Sequence, residues 1–216
     1  YFPGNGKKII ELWKPLLAFI RQMAGMEREN DISYIDKVLA GNVNAFSYLI
    51  DRHKDKAFNL AYRICGNREE AEEIAQDAFL KAFRSLKDFR KKSSFSTWLY
   101  RIVYNTSVSL VRTRGSRVLS LEEFPADAVD FLAESSNEDE AVDNYRNSLV
   151  NFALQKLHEE ERGLITLYYF DELETDEIAL ITGIKKQNIK VRLFRARQKM
   201  AGIIKTAEKK NAYYNE

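Results

Sequence analysis

Proline and glycine are scarce, three and nine among 216 residues, too few to punctuate the many short strands of a sandwich or barrel. Cysteine is scarcer still. Cys65 stands alone, so no internal disulfide can form, and its place near the end of an apolar helical pattern fits a buried thiol in a reducing compartment. No apolar run approaches the ~18 to 20 residues needed to span a bilayer, so no membrane insertion is expected and the location reads as cytoplasmic. Histidine is nearly missing. His53 and His158 have no Cys or Asp at a metal-binding or triad spacing, and no glycine-rich phosphate loop occurs. The chain therefore reads as no enzyme, without cofactor or metal, and His53 as a residue of a helix surface or core edge.

What is present is helix-forming. Glu, Lys, Arg, Ala and Leu dominate, and the length suits two small all-helical domains, each burying its own core. The net charge of +2 conceals an uneven distribution: +3 over residues 1–25, +5 over 26–117, −9 over 118–145 and +3 over 146–216. Residues 1–25 precede Met26 and read as a tag or non-native extension, with an amphipathic surface helix as the alternative. Residues 26–117 form the first domain. Residues 118–142, acidic and carrying Pro125, Ser135 and Ser136, form a flexible linker whose charges repel one another. Residues 143–205 form the second domain, and 206–216 a tail expected to fray.

Four helices are predicted in the first domain. After a short one, the second spans 44–65 with Phe46, Leu49, Ala57, Leu60, Ala61 and Ile64 at helical spacing before a stop at Gly66. The third starts from Asn67 as N-cap, with Glu69 and Glu70 complementing the helix dipole, and carries the stripe Ala71, Ile74, Ala75, Ala78, Ala82 and Leu86. The fourth follows Ser96 and Thr97, with Leu99, Ile102, Val103, Thr106 and Leu110 facing inward.

The most specific signal lies in 175–200. Thr175 can cap a helix with Asp176 and Glu177 in its first turn and Ile178, Ala179 and Ile181 on its apolar side. Gly183 permits a left-handed turn, and Ile189, Leu193, Ala196 and Met200 then recur at helical spacing. This is a helix-turn-helix. Gln187, Val191, Phe194 and Arg195 face away from that stripe, with Lys190 beside them. Apolar groups there suit thymine methyls, and Arg, Lys or Gln suit base edges. Arg192, Arg197 and Lys199 flank that face and suit phosphates, and Lys186 belongs to the same DNA-binding set.

Two faces of the first domain are candidates for partners. Opposite the stripe of the third helix, Leu80 and Phe83 stand among Glu73, Gln76, Asp77 and Arg84, a mixed patch that suits a protein surface; a single exposed Leu is equally common in an ordinary helix. The fourth helix turns Trp98, Arg101, Tyr104, Asn105, Val108 and Arg112 away from its stripe, after Phe89, Arg90, Lys91, Lys92, Ser94 and Phe95 in the loop. Aromatics interleaved with cations suit single-stranded DNA, although Phe95 and Trp98 fit core packing as well.

These segments resemble the extracytoplasmic-function sigma factors of bacterial RNA polymerase. The runs EEAEEIAQDAFLKAF (69–83) and FSTWLYRIVYN (95–105) are similar to sigma region 2, and 162–200 to region 4. The resemblance implies a region 2 bundle and a region 4 helix-turn-helix joined by the linker. It also implies docking of the Glu73, Gln76, Asp77, Leu80, Phe83 and Arg84 face on core polymerase, whose beta-prime and beta subunits would be the partners. The 88–96 loop with Trp98, Arg101, Tyr104, Asn105 and Arg112 would open and hold the promoter minus-10 element, capturing a base. The helix-turn-helix would read the minus-35 element as duplex, and an anti-sigma factor would restrain a chain that is monomeric when free. Where relatives place Pro and small residues, this chain has Lys185, Lys186 and Gln187, so no relative's promoter can be inherited. The competing reading is a dimeric regulator binding operator duplex, which the missing heptad seam disfavours.

Overall fold

The computed structural model describes residues 30–114 and 138–214. Residues 1–25 and 118–137 lie outside them, and with them the extension and most of the expected linker. Among the described residues the chain is helical throughout, without strands.

In the first half, α1 (30–39) leads through a short 3-10 turn, Val43–Ala45, into α2, Phe46–Cys65. α2 stops because Gly66 takes φ +75°, a left-handed conformation open to glycine, and gives its N–H to the Tyr62 carbonyl at 2.8 Å. Asn67 then caps α3, Arg68–Arg84, its side-chain oxygen accepting the Glu70 N–H at 2.8 Å. α4 runs Phe95–Arg114. Its start lies slightly before the expected one, because the Ser94 hydroxyl, not Ser96 or Thr97, accepts the Thr97 N–H at 3.1 Å. The expected stripes of α2 and α3 are all buried, from Phe46 to Ile64 and from Ala71 to Leu86. α4 differs. Leu99 and Val103 are buried as expected, whereas Ile102, Thr106 and Leu110 are half-buried, and Tyr100, Tyr104, Ser107, Val108 and Val111 on the other side are covered too.

The second half supplies part of that cover, with Gly163 against the Tyr104 ring. α5 spans Glu138–Gln155, beginning before the expected 143, and α6 spans Glu159–Ile165. A π turn, Thr166–Phe170, leads to α7, Thr175–Thr182, and α8, Lys186–Tyr214. Thr175 is the first residue of α7 and not its cap; Glu174 takes the cap place without a side-chain bond, leaving the acids of the first turn to favour the helix end. α8 runs on beyond Lys205 because Ile203 and Ala207 pack with Leu149 and Phe152 of α5. The two helical units do not keep separate cores. Buried residues from Ile35 to Val111 and from Leu154 to Ala196 form one continuous cluster.

The seam is tied at the end of α2, where the last carbonyls of a helix lack internal donors. Arg162, 6 % exposed as a residue, donates from its guanidinium to the Ile64 carbonyl at 2.6 Å, to the Leu157 carbonyl at 3.1 Å and to the Gln155 side chain at 2.8 Å. Gln155 in turn donates to the Arg63 carbonyl at 3.2 Å. Burial draws the Arg162 pKa below its ordinary value, partly offset by Glu159, yet a guanidinium stays charged at neutral pH.

Arg162→Met keeps the bulk but strands two buried carbonyls. It is expected to lower the unfolding free energy by about 2 kcal/mol, read as a shift of the urea midpoint at constant slope. A change within about 0.5 kcal/mol, the range of a neutral surface substitution, would mean that the seam contacts contribute little.

Candidate nucleic-acid interface

The helix-turn-helix forms as the spacing predicts. Gly183, at φ +73°, ends α7 with its N–H on the Ala179 carbonyl, and the Thr182 hydroxyl accepts the Ile184 N–H at 3.2 Å. Ile178, Ile181, Ile189, Leu193 and Ala196 close its core. That packing turns Gln187, Lys190, Val191, Phe194 and Arg195 outward; Val191 is 49 % and Phe194 54 % exposed. Lys190 and Arg195 have no side-chain partner among the described residues. The other cations of the DNA-binding set behave differently, for each has one. Lys186 pairs with Asp176, Arg192 with Glu160, Arg197 with the Tyr169 hydroxyl and Lys199 with Glu161.

The 88–96 loop and α4 bring together an aromatic cluster rather than an open stacking platform. Phe89 and Phe95 are buried, their rings edge to face at 6.1 Å, with Trp98 5.2 Å from Phe89 and His53 5.4 Å from Phe95. The sequence reads Phe89 as open to a separated strand and allows Phe95 either that place or the core; both are buried and close the end of the bundle beneath the loop. Trp98 is half-buried, and Arg90, Lys92, Arg101 and Asn105 are exposed. Lys91 adopts φ +58° and pairs with Asp36 of α1 at 2.6 Å. Ser94 spends its hydroxyl on the helix cap and on Ser96 and Thr97.

Tyr104 and Val108 also depart from expectation. α6 covers this side of α4, leaving Tyr104 4 % exposed, and burial, reinforced by Glu160, pushes its phenol up to about 12. Arg112 remains exposed but is held by Glu159 at 3.1 Å and by Glu160. The acidic turn Glu159–Glu161 was not foreseen as part of any site. Its only sequence signal is three consecutive acids at a helix start, which fits a dipole effect and names no partner.

On α3 the expected mixed face is exposed: Glu73, Gln76, Asp77, Leu80, Phe83 and Arg84, with Phe83 resting edge-on against Phe46 at 5.1 Å. His53, by contrast, is neither at a surface nor alone. It is 6 % exposed and bonded to the Asp31 carboxylate at 3.0 Å, a pairing across 22 positions that local spacing could not reveal.

At the seam between the halves, Asp171 follows the π turn with one carboxylate oxygen buried and unbonded. Burial pushes its carboxyl up to about 6, against the pull of Lys56 and Arg63. Arg63 lies 3.6 Å over the Phe170 ring. Tyr100, on the α4 side, is shifted upward by burial and then by Asp171 and Glu177.

The family description Sigma-70 region 2 matches residues 49–117, and Sigma-70, region 4 matches 149–200. The RNA polymerase sigma-H factor of Pseudomonas aeruginosa is 31 % identical over 179 residues, covering 80 % of this chain and 93 % of that protein. The ECF RNA polymerase sigma factor SigW of Bacillus subtilis is 34 % identical over 176 residues, with 76 % and 91 % covered. The ECF RNA polymerase sigma-E factor of Escherichia coli is 33 % identical over 178 residues, with 80 % and 93 % covered. Among solved structures, CnrH in complex with the cytosolic domain of CnrY is similar in fold at TM-score 0.60 and 22 % identity, covering 82 % of this chain and 98 % of that one. The sigma factor RpoE of Bartonella quintana, in complex with the anti-sigma factor NepR, is similar at TM-score 0.55 and 24 % identity, covering 74 % and 96 %.

Asp171 supplies a test of the seam. Its folded value of about 6 lies above the ordinary 3.8, so the folded chain holds the extra proton between the two. Stability from this group is present at low pH and lost as pH rises through about 6, the reverse of a salt-bridged Asp. Asp171→Asn should therefore raise the unfolding free energy by about 1 to 2 kcal/mol at pH 8 and leave it nearly unchanged at pH 4. Equal effects at both pH values in chemical denaturation would place the carboxylate in water.

Proposed function

Because this chain belongs to the extracytoplasmic-function sigma factors of bacterial RNA polymerase, we propose how its surfaces divide the work of promoter recognition. α8 reads the minus-35 element as duplex, the 88–96 loop and α4 hold the minus-10 element as a separated strand, and α3 docks on the core enzyme. The observation that carries this reading is the exposure of Val191 and Phe194 beside Lys190 and Arg195, which have no side-chain partner among the described residues. Two large apolar side chains on a basic helix are unfavourable in water and suit thymine methyls in a major groove.

Gln187, Lys190, Val191, Phe194 and Arg195 are then the base-reading set, with Lys186, Arg192, Arg197 and Lys199 exchanging their carboxylate or hydroxyl partners for phosphate. On the first half, Trp98, Arg90, Lys92, Arg101 and Asn105 are placed to meet an unpaired strand, while Phe89 and Phe95 brace the loop from beneath. Leu80, Phe83 and Asp77 offer the polymerase an apolar centre with an acidic rim. The phosphoryl transfer belongs to the polymerase, and the chain works beside it in the cytoplasm. Residues 26–117 and 143–205 act as the two functional units. The RpoE of similar fold was solved with an anti-sigma factor, and a protein inhibitor of that kind suits a chain with two exposed apolar faces.

Run-off transcription from genomic fragments with core polymerase tests the reading directly, since a chain that supports no initiation on any fragment would sink it. On a promoter so identified, Arg195→Ala should cost about 1 to 3 kcal/mol and relax selection at one or two base pairs. Lys199→Ala should weaken all sequences alike and flatten the salt dependence. Replacing Asp77 and Leu80 together with Lys should reduce affinity for core polymerase at least tenfold, a loss of about 1.4 kcal/mol or more, without changing the unfolding midpoint.

A further inference from the structure

The 88–96 loop is irregular chain that must hold its side chains in one geometry. Residues 89–94 lie in neither helix nor strand, and Lys91 at φ +58° sits in the left-handed region, where a residue with a Cβ is disfavoured. Such a conformation persists only where surrounding contacts over-determine it. Two of those contacts lead to α1, a helix that contributes no residue to the polymerase, strand or duplex faces.

α1 lies on α2 through Ile35 and Val38, both buried, and through the Tyr34 ring, stacked on Tyr48 at 3.7 Å. Asp31 shares that buried side, 4 % exposed where an apolar residue would continue the stripe. A carboxylate so placed is costly unless it is bonded. Since it can only accept, Nε2 of His53 donates to its Oδ2 at 3.0 Å, and Nε of Arg52 lies 3.6 Å from Oδ1. The bond fixes the imidazole, whose ring stands 5.4 Å from that of Phe95, the first residue of α4. Phe95 in turn meets Phe89 at 6.1 Å and Trp98 at 5.9 Å. Further along α1, on its exposed side, Asp36 accepts from Nζ of Lys91 at 2.6 Å. The loop is therefore gripped at two levels, at its aromatic floor by Asp31 through His53 and at its crown by Asp36.

We propose that α1 is the strut of the strand-holding loop, with Asp31, His53 and Asp36 as positioning residues for capture of the minus-10 strand. This rests on the assignment of the loop made above. None of the three meets the strand itself. Asp31 and His53 lock Phe95 and Phe89 beneath Trp98, and Asp36 holds Lys91 in its left-handed turn between the exposed Arg90 and Lys92. A contacting group is only as well placed as the residues that support it. Released from either tie, the loop samples other conformers, and apparent affinity for the strand falls with the competent fraction.

Asp36→Ala separates positioning from both folding and charge. An exposed ion pair adds little to stability, so the urea midpoint should stay that of wild type, and removing an acid beside a basic loop would by charge alone strengthen binding of nucleic acid. The strut requires the opposite: with the chain assembled on core polymerase, affinity for a single-stranded minus-10 oligonucleotide from a run-off-identified promoter should fall about tenfold, while affinity of the full chain for a minus-35 duplex is unchanged. Combining Asp36→Lys with Lys91→Asp restores the pair with its ends exchanged, Asp tolerating the left-handed turn, and should recover most of what Asp36→Lys loses alone. Asp31→Asn, which keeps an acceptor for the imidazole, should bind the strand as wild type does, and Asp31→Ala should not. The loop itself is read by acrylamide quenching of Trp98, left as the single tryptophan by Trp13→Phe: quenching should rise in Asp36→Ala and Asp31→Ala and return to that of wild type in the exchanged pair and in Asp31→Asn. Equal quenching in every variant overturns the strut, as does raised quenching with strand affinity at or above that of wild type. An exchanged pair no better than Asp36→Lys alone overturns the part given to Asp36. A wild type that supports no run-off, while quenching follows the expected pattern, instead locates the error in the assignment of the loop to the strand.

Discussion

The arrangement of the molecule depends on how one helix end is completed. The last carbonyls of α2 have no donors within the helix, and Arg162 and Gln155 reach across from the second half to the Ile64 and Arg63 carbonyls. A guanidinium brought into a nearly dry site must have its N–H groups satisfied, since leaving them or their acceptors unpaired costs more than the bonds return on average. Arg162 meets that condition at Nε and Nη1 by also bonding Leu157 and Gln155. The same side chain thereby sets α6 against α2 and α4, and the contact between Gly163 and Tyr104 follows from its position one residue on.

From this tie the remaining electrostatics follow. Three acids in the first turn of α6 are favoured by the helix dipole, and the placement of α6 delivers them to Arg112 on one side and to Arg192 and Lys199 on the other. Exposed pairs of this kind contribute little to stability individually. Their effect is on availability: a cation already facing a carboxylate must exchange it before meeting phosphate, whereas Lys190 and Arg195 face no carboxylate among the described residues.

The burial of Tyr104 and Val108 shows why the face of α4 was misjudged from periodicity. A stripe count assigns one buried face to a helix and treats the opposite face as solvent. α4 packs on α2 and α3 and also on α6 and α7 of the second half, with Tyr104 against Gly163, so its second apolar row, buried at Tyr100, Tyr104 and Val108, reads from the sequence as a surface rich in aromatics. Phe89 is ambiguous in the same way, since a ring in a basic loop suits either a base or a bundle end. Residues on α8 were easier to place because a helix-turn-helix leaves the outer face of its second helix without a packing partner.

Local order was written in the chain: the stripes of α2 and α3, the Asn67 cap, the left-handed stops at Gly66 and Gly183, and the outward set on α8. Each depends on neighbours within one or two helical turns, where residue type and spacing decide the geometry. The tertiary structure alone decided the partners. It paired His53 with Asp31, joined the cores of the two halves, extended α8 through Ala207 and set Glu160 between Arg112 and Arg192. Those contacts join residues tens of positions apart, and a carboxylate, an arginine or a glycine carries in its own identity no record of which distant side chain will come to face it.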